Sequence, residues 1–278
     1  MKRILFPTDF SEVATNAFVH ALEFAKIIDG EIILLHSFEL PVFDNQFFPE
    51  NYMVIYESLE LSQFEMFKDE IPKLRAIAEE RNLDHIKLTH KLMDGGVVHN
   101  IKKAVKEEKI NFVVMGTAGA SGWSEFFSGT NTGYVLSDID IPLLSIPENA
   151  KFEKIEHIGF TTRFRPKDKK ALKSVLEIAK LADADVKCLY VKTSKSDVPK
   201  ETIEKWETKF KDEPIEFFVI ESEDVKNTIL DFIQYKEIDI LTMLTYKRGF
   251  FESLLHPSLT KKVANNFDVP LLSIHIEE

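Results

Sequence analysis

The sequence predicts an α/β protein made of two tandem copies of one open, parallel, five-stranded sheet with helices on both faces. Two matching segments indicate the duplication: residues 141–146 read Ile-Pro-Leu-Leu-Ser-Ile and residues 269–274 read Val-Pro-Leu-Leu-Ser-Ile. Each copy alternates short apolar runs with helical periodicity in the order β-α-β-α-β-α-β-α-β, which is typical of parallel sheets. The 278 residues suffice for two domains, each with its own core.

The first copy begins with an apolar run at residues 3–7, which predicts a strand, and with helical spacing over residues 12–28, where Ser11 is a suitable N-cap. The continuous apolar run at residues 32–35 predicts a strand buried on both faces. A long helix follows to about residue 82, and Pro72 is expected to kink or divide it. The last elements alternate as strand, helix, strand, helix and strand, at residues 86–92, 97–108, 112–115, 130–138 and 142–146.

The second copy repeats this order, with strands predicted near residues 157–161, 186–191, 215–220, 239–243 and 270–275. The copies align without gaps at an offset of 154 residues up to Ser37 and at an offset of 128 residues from Val97, and 154 − 128 = 26. The first copy therefore has 26 extra residues, which we place around the phenylalanine-rich segment 38–54. Its aromatic side chains could cap the core or form a lid or a partner surface. We expect domains at 1–148 and 149–278.

The composition indicates a cytoplasmic protein that binds neither nucleic acid nor membrane. The net charge of −11 disfavours nucleic acid, because such binding depends on neutralising phosphates. The single cysteine, Cys188, fits a reducing compartment and an inert buried thiol. The chain contains no apolar run of about 20 residues that could span a bilayer, and its first apolar run is too short for a signal peptide.

The loop that begins at Gly116 is the predicted ligand site. It leaves the carboxyl end of a buried strand, where ligands of open parallel sheets bind, and it ends at the start of a helix. Glycines allow backbone amides to approach phosphate oxygens, and the helix N-terminus adds N–H groups and a positive dipole. The candidate phosphate-binding residues are Gly116, Gly119, Gly129, Thr130, Asn131 and Thr132. The glycines could alternatively serve only tight turns.

The loop is not built for efficient phosphoryl transfer. It contains no lysine or arginine, so it is not a P-loop, and Glu125 is its only carboxylate. The eight histidines of the chain show no paired spacing of the kind that binds zinc, so no metal site is predicted. We therefore expect this loop to bind a phosphate-bearing ligand with little or no turnover, and we expect no catalytic residues.

The spacing Gly-x2-Gly-x9-Gly-Thr, together with Pro7-Thr8-Asp9-Phe10-Ser11 at the end of the first strand, resembles the ATP-binding branch of the universal stress protein family. The resemblance covers the whole chain as two fused family domains. It implies a Rossmann-like fold of the adenine nucleotide alpha hydrolase type, packed as an intrachain pseudo-dimer. It also implies a stress-response regulatory protein that binds ATP or AMP, with or without Mg²⁺, and that has an unknown protein partner.

The resemblance also implies roles for individual residues. Asp9, which follows Pro7 and Thr8, would contact the ribose or the metal–phosphate region; in the alternative interpretation it is an Asx-turn residue before the helix. Ser37 would offer backbone groups to adenine. Pro7, Thr8 and Met115, which stand beside Asp9 and the phosphate-binding glycines, are further candidate nucleotide-binding residues. The second copy departs from this pattern at the equivalent positions, which are Arg163, Leu244, Lys247 and Pro257.

We therefore expect at most one nucleotide per chain, bound by the first copy. Arg163, Lys247 and Arg248 could bind an anion, but we interpret them as solvated surface charges. Strands 142–146 and 270–275 are expected to pair, so that one chain mimics a dimer of single-domain members; a homodimer of the whole chain stays open. Two other functions also stay open: an interaction or scaffold protein with a vestigial loop, and a slow ATPase.

Overall fold

The computed structural model describes residues 1–39, 52–117, 131–196, 198–245 and 268–276. The chain divides into two compact units, Met1–Gly116 and Thr117–Glu278. None of the described helices is both long enough and apolar enough to cross a membrane. Residues 40–51 of the phenylalanine-rich segment lie outside the described residues, so its predicted role as a core cap, lid or partner surface stays a prediction.

The first unit is a parallel sheet whose strands lie in the order β3-β2-β1-β4. The strands are β1 (Lys2–Pro7), β2 (Gly30–Phe38), β3 (Leu88–Asp94) and β4 (Phe112–Thr117). The helices described in this unit are α1 (Glu12–Ile28), α2 (Tyr52–Glu80) and α3 (Val97–Glu107). Pro72 lies inside α2 and does not divide it.

Buried apolar residues explain why the central strands form. Ile4, Leu5 and Phe6 of β1 are fully buried, and Leu5 lies beside Ile33 of β2 and Val113 of β4. Burial of such side chains contributes roughly 1.5–3 kcal/mol each relative to exposure. Because the strands are parallel, all four end at the same edge of the sheet. The predicted site residues that lie in the first unit are found at this edge.

The second unit contains the second copy and the last two elements of the first. Its helices are α4 (Asn131–Asp138), α5 (Asp168–Ala182), α6 (Lys200–Lys209) and α7 (Val225–Tyr235). Its strands are β5 (Leu143–Pro147), β6 (His157–Thr161), β7 (Asp185–Lys192), β8 (Ile215–Glu221), β9 (Ile240–Thr245) and β10 (Leu271–His275). They lie in the order β5-β10-β9-β6-β7-β8. The predicted α/β class with largely parallel sheets is confirmed.

Strands β5 and β10 pair with each other, as expected from their shared Pro-Leu-Leu-Ser sequence, and they pair antiparallel. Leu144 faces Leu272, which is the residue at the equivalent position of the other copy, and both side chains are buried. Such a contact between equivalent surfaces is of the isologous kind found in two-fold dimers. It also places β5 in the second unit, so the compact units divide before the repeat boundary expected at residue 148.

Candidate functional site

The turn after β1 is held by hydrogen bonds that converge on Thr8. Its backbone N–H donates to the Leu35 carbonyl at 2.9 Å, and its own carbonyl accepts from His36 Nδ1 at 2.8 Å. Its hydroxyl oxygen accepts from the Phe10 backbone N–H at 3.0 Å. Phe10 has a φ of 62°, a left-handed conformation that is unfavourable for a bulky residue. The bonds to Thr8 therefore fix a strained turn directly after Pro7.

Asp9 lies exposed at the tip of this turn. Its Oδ1 accepts hydrogen bonds from the Ser11 backbone N–H at 3.0 Å and from the Ser11 hydroxyl at 2.7 Å. Ser11 in turn caps α1, because its hydroxyl oxygen accepts from the Ala14 N–H at 3.2 Å. This is the Asx-turn that the sequence offered as one interpretation. Within the described part of the chain, the other carboxylate oxygen of Asp9 accepts no hydrogen bond.

The ends of β2 and β3 are joined by Asn100 of α3, a buried residue that the sequence did not single out. Its side-chain amide donates to Ser37 Oγ at 3.2 Å and to the carbonyls of Asp94 at 3.1 Å and Gly95 at 3.0 Å. Ser37 is half-buried beside Met93 in the sheet. The amide therefore fixes the strand end at which Ser37 was predicted to meet adenine.

An aromatic cluster lies beside the Phe10 turn, and its long-range contacts were also missed from the sequence. Phe67 of α2 has its ring centroid 6.0 Å from that of Phe10, 6.2 Å from His36 and 5.7 Å from His90. The Phe10 and His36 rings are 5.1 Å apart. The helical spacing of Phe67 on the buried face of α2 was the only available signal. The cluster supports the Phe10 turn from the side of α2.

Gly116 follows the buried Met115 at the end of β4 and lies against the first turn of α1. A Cβ at this position would be 2.9 Å from the Val13 carbonyl oxygen, so only glycine fits without a shift of the backbone. Thr117, the next residue, is buried, and its hydroxyl has no hydrogen-bond partner among the described residues. The first glycine of the predicted loop is thus required for the packing of α1 on β4.

The structure brings part of the predicted site together. Pro7, Thr8, Asp9, Ser37, Met115 and Gly116 all lie at the carboxyl ends of parallel strands in the first unit. Asn131 and Thr132 begin α4 in the second unit, where Asn131 is exposed and Thr132 is buried. Gly119, Gly129 and Thr130 lie outside the described residues. Among the described residues, no group of three or more His, Cys, Asp or Glu side chains could hold a metal ion.

Two copies of a parallel α/β sheet, with a polar edge at the strand ends of the first, define a duplicated Rossmann-like protein. The model of the universal stress protein family matches residues 1–147 and again residues 154–275. The chain therefore belongs to the universal stress protein family, with two family domains in tandem.

Individual relatives agree with this assignment. Universal stress protein MJ0531 of Methanocaldococcus jannaschii is 25% identical over 150 residues, which are 54% of this chain and 84% of that protein. Universal stress protein MJ0577 of the same organism is 26% identical over 152 residues, which are 52% of this chain and 94% of that protein. Each of these relatives thus matches about half of this chain.

Solved structures resemble the whole chain. The crystal structure of a universal stress protein from Archaeoglobus fulgidus matches 98% of both chains with a TM-score of 0.73 at 17% identity. A putative universal stress protein from Pseudomonas aeruginosa matches 99% of this chain and 93% of its own, with a TM-score of 0.61 at 12% identity. At these identities the likeness shows that the fold is shared.

Proposed function

We propose that the first copy, residues 1–148, binds one adenine nucleotide, ATP or AMP, with little or no turnover, and thereby acts as a regulatory protein in the stress response. Asp9 carries this proposal. The turn uses one of its carboxylate oxygens for Ser11 and leaves the other without a partner among the described residues, at an exposed position beside the strand ends. A charge held rigidly in that place suits contact with a ribose or a metal–phosphate group.

The neighbouring groups fit a nucleotide. Gly116 has no side chain to block the strand end, and the buried Thr117 hydroxyl after it still has hydrogen-bonding capacity among the described residues. Ser37 is fixed by Asn100, so its backbone would meet a base in one position. A bound Mg²⁺ would neutralise phosphate charge. The loop from Gly116 to Thr132 has no lysine or arginine to stabilise a transferred phosphoryl group, which supports binding over catalysis.

The test begins with the purified protein. Denaturation should release an adenine nucleotide, which chromatography would detect, and millimolar Mg-ATP should raise the melting temperature of nucleotide-free protein. A protein that contains no nucleotide and shows no thermal shift with ATP or AMP would contradict the proposal.

Asp9→Asn is the sharpest variant, because asparagine keeps the oxygen that accepts from Ser11 while it removes the charge. We expect nucleotide affinity to fall at least about tenfold, or about 1.4 kcal/mol, while the thermal stability of the nucleotide-free protein stays nearly unchanged. Arg163→Gln, at the equivalent position of the second copy, is the matched control and should leave nucleotide binding unchanged. Unchanged binding in Asp9→Asn would mean that the site is elsewhere. Sustained phosphate release that Asp9→Asn abolishes would instead favour the slow ATPase.

A further inference from the structure

The second unit contains a cavity of about 810 Å³ at the carboxyl ends of its central strands. The segment 161–166 after β6 forms one wall, and the end of β7 forms the floor together with Met243 and Leu244 of β9. Helix α6 contributes Trp206, and the start of α7 contributes Val225. The sequence predicted no ligand for this copy.

Positive charge dominates the polar lining of this cavity. Arg163, Arg165, Lys169 and Lys195 line it, and no aspartate or glutamate of the described residues does so. Hydroxyl groups of Thr161, Thr193 and Ser196 are also present in the lining. Although the chain as a whole has a net charge of −11, the cations of this lining favour an anionic ligand.

The remaining lining is apolar and aromatic. The Phe164 ring is 5.1 Å from the Trp206 ring and 5.3 Å from the Tyr190 ring, with steep interplanar angles of 83° and 77°. Lys169 Nζ lies 5.2 Å from the centroid of the Trp206 ring. The three rings are only 1–5% exposed, so they pack against one another and support the lining from behind. A cavity with apolar lining and cationic groups fits a ligand that has an apolar body and an anionic end.

The wall that carries both arginines is fixed by a buried carboxylate. Asp168 is fully buried, and its Oδ2 accepts hydrogen bonds from the Thr162 hydroxyl at 2.8 Å and from the backbone N–H groups of Arg163 at 3.0 Å and Arg165 at 3.2 Å. Phe164, between the arginines, has a φ of 54°. The wall is therefore organised before any ligand arrives, which lowers the entropic cost of binding.

The cavity does not reproduce the predicted nucleotide site of the first copy. Leu244 stands at the position equivalent to Gly116 and fills the end of β9 with a buried side chain that lines the cavity. Arg163 stands at the position equivalent to Asp9, so the charge at the tip of the turn is reversed. The second copy therefore lacks the glycine at which the predicted phosphate-binding loop of the first copy begins.

We propose that this cavity binds a small organic anion with an apolar body, such as an aromatic compound that bears one carboxylate, sulfonate or phosphate group. The apolar body lies against apolar lining residues such as Val191, Val198 and Pro199, and the anionic group lies among the four cationic side chains of the lining. Arg163 is then a ligand-binding residue instead of the solvated surface charge that the sequence suggested. This proposal is independent of nucleotide binding by the first copy.

Anilinonaphthalene sulfonate, an aromatic monoanion, is a suitable probe. The chain has two tryptophans, Trp123 and Trp206, so the variant Trp123→Phe leaves Trp206 as the only tryptophan donor of energy transfer to the probe. We expect saturable transfer at one probe per chain, weakened by added salt because charged groups contribute to the affinity. The uncharged phenylnaphthylamine, which has the same ring system, should bind at least about tenfold more weakly.

In the same background, the double variant Arg163→Gln/Lys195→Gln should raise the dissociation constant of the anionic probe at least about tenfold. Lys173→Met, an exposed lysine of α5 outside the cavity lining, is the matched control and should not change it. The proposal is overturned if the wild-type lining shows no saturable transfer at millimolar probe, or if the uncharged compound binds equally well. These two measurements need no cavity variant, so they stand even if the double variant does not fold.

Discussion

Glu31 is a nearly fully buried carboxylate at the start of β2, held between two cations. Its Oε2 is 2.6 Å from Lys87 Nζ and its Oε1 is 2.8 Å from Arg3 Nε. The hydrogen bond from Lys87 lowers the pKa of Glu31 below its ordinary value; burial opposes this shift, and Arg3 adds to the lowering. The ionised form of Glu31 is therefore favoured by folding.

This pKa shift predicts a pH-dependent effect of Glu31→Gln. Because the pKa is lower in the folded state, the charge stabilises the protein above the ordinary value of 4.5, and this contribution is lost as the pH falls through the folded-state pKa. We expect Glu31→Gln to lower the free energy of unfolding by about 1–3 kcal/mol at neutral pH. This difference in stability between wild type and variant should disappear in acid. Urea unfolding across this range measures it.

The matched control for this prediction is Glu216→Gln, which removes an exposed carboxylate that lies 3.5 Å from Lys187 Nζ. Exposed ion pairs contribute little, so we expect a much smaller change in stability at neutral pH. A difference in unfolding free energy between wild type and Glu31→Gln that stays constant with pH would contradict the proposed effect of the lowered pKa.

Individual residues also show where sequence reasoning reaches its limit. The turn at Asp9 could be predicted from the sequence, because an aspartate two residues before Ser11, at the start of a helix, commonly accepts a hydrogen bond from the backbone that follows it. Asn100 was not, because its partner Ser37 lies 63 positions away in the chain and neither residue belongs to a motif. Such long-range polar contacts depend on the tertiary fold and leave no local pattern.

At the level of elements, Gly116 shows how closely α1 packs on β4. We expect Gly116→Ala to destabilise the protein by about 1–3 kcal/mol, because the new Cβ meets the Val13 backbone at 2.9 Å and the helix must shift. Gly159→Ala in β6 is the matched control, since its Cβ would meet only side-chain carbons of Ile238 and Leu241, at 3.0 Å. Chemical unfolding should show a smaller loss for Gly159→Ala. Equal losses would mean that the contact with backbone is not decisive.

The helices and strands themselves were largely predictable, and the differences have physical reasons. The central strands form continuous apolar runs, and β6 was placed at the bounds that the structure has, residues 157–161. Strand β3 was predicted at residues 86–92 but spans Leu88–Asp94, because this edge strand is only half-buried and its apolar pattern is weak. Pro72 was expected to kink or divide its helix, and it does not divide α2, which is continuous from Tyr52 to Glu80.

At the level of the whole molecule, β5 and β10 connect the end of the first copy to the end of the second. Leu144 and Leu272 face each other in this pairing, and both are nearly inaccessible to solvent. We expect Leu144→Ala and Leu272→Ala each to cost about 2–5 kcal/mol. Because the side chains share one contact, the double variant should cost less than the sum by about 0.5 kcal/mol or more. Strict additivity in urea unfolding would show that the leucines do not interact.

The sequence duplication predicted this pairing but not the division into compact units. The repeat boundary was placed at residue 148, where the pattern restarts, whereas the units divide after Gly116. A sequence repeat shows which segments arose by duplication, whereas a compact unit shows which segments pack together. One partner of β5 is β10, more than a hundred residues later, and β5 lies in the compact unit that contains the second copy.

The turn after the first strand has the same construction in both copies. In each, a threonine hydroxyl accepts from the N–H of a left-handed phenylalanine, at 3.0 Å in the first copy and 2.9 Å in the second. The residue between them is Asp9 in one copy and Arg163 in the other. The backbone of the turn is therefore the same in both copies, while the side chain at this position differs. After duplication, one substitution at this position could reverse the charge offered to a ligand without disturbing the fold, and the two halves of the gene could acquire different chemical preferences.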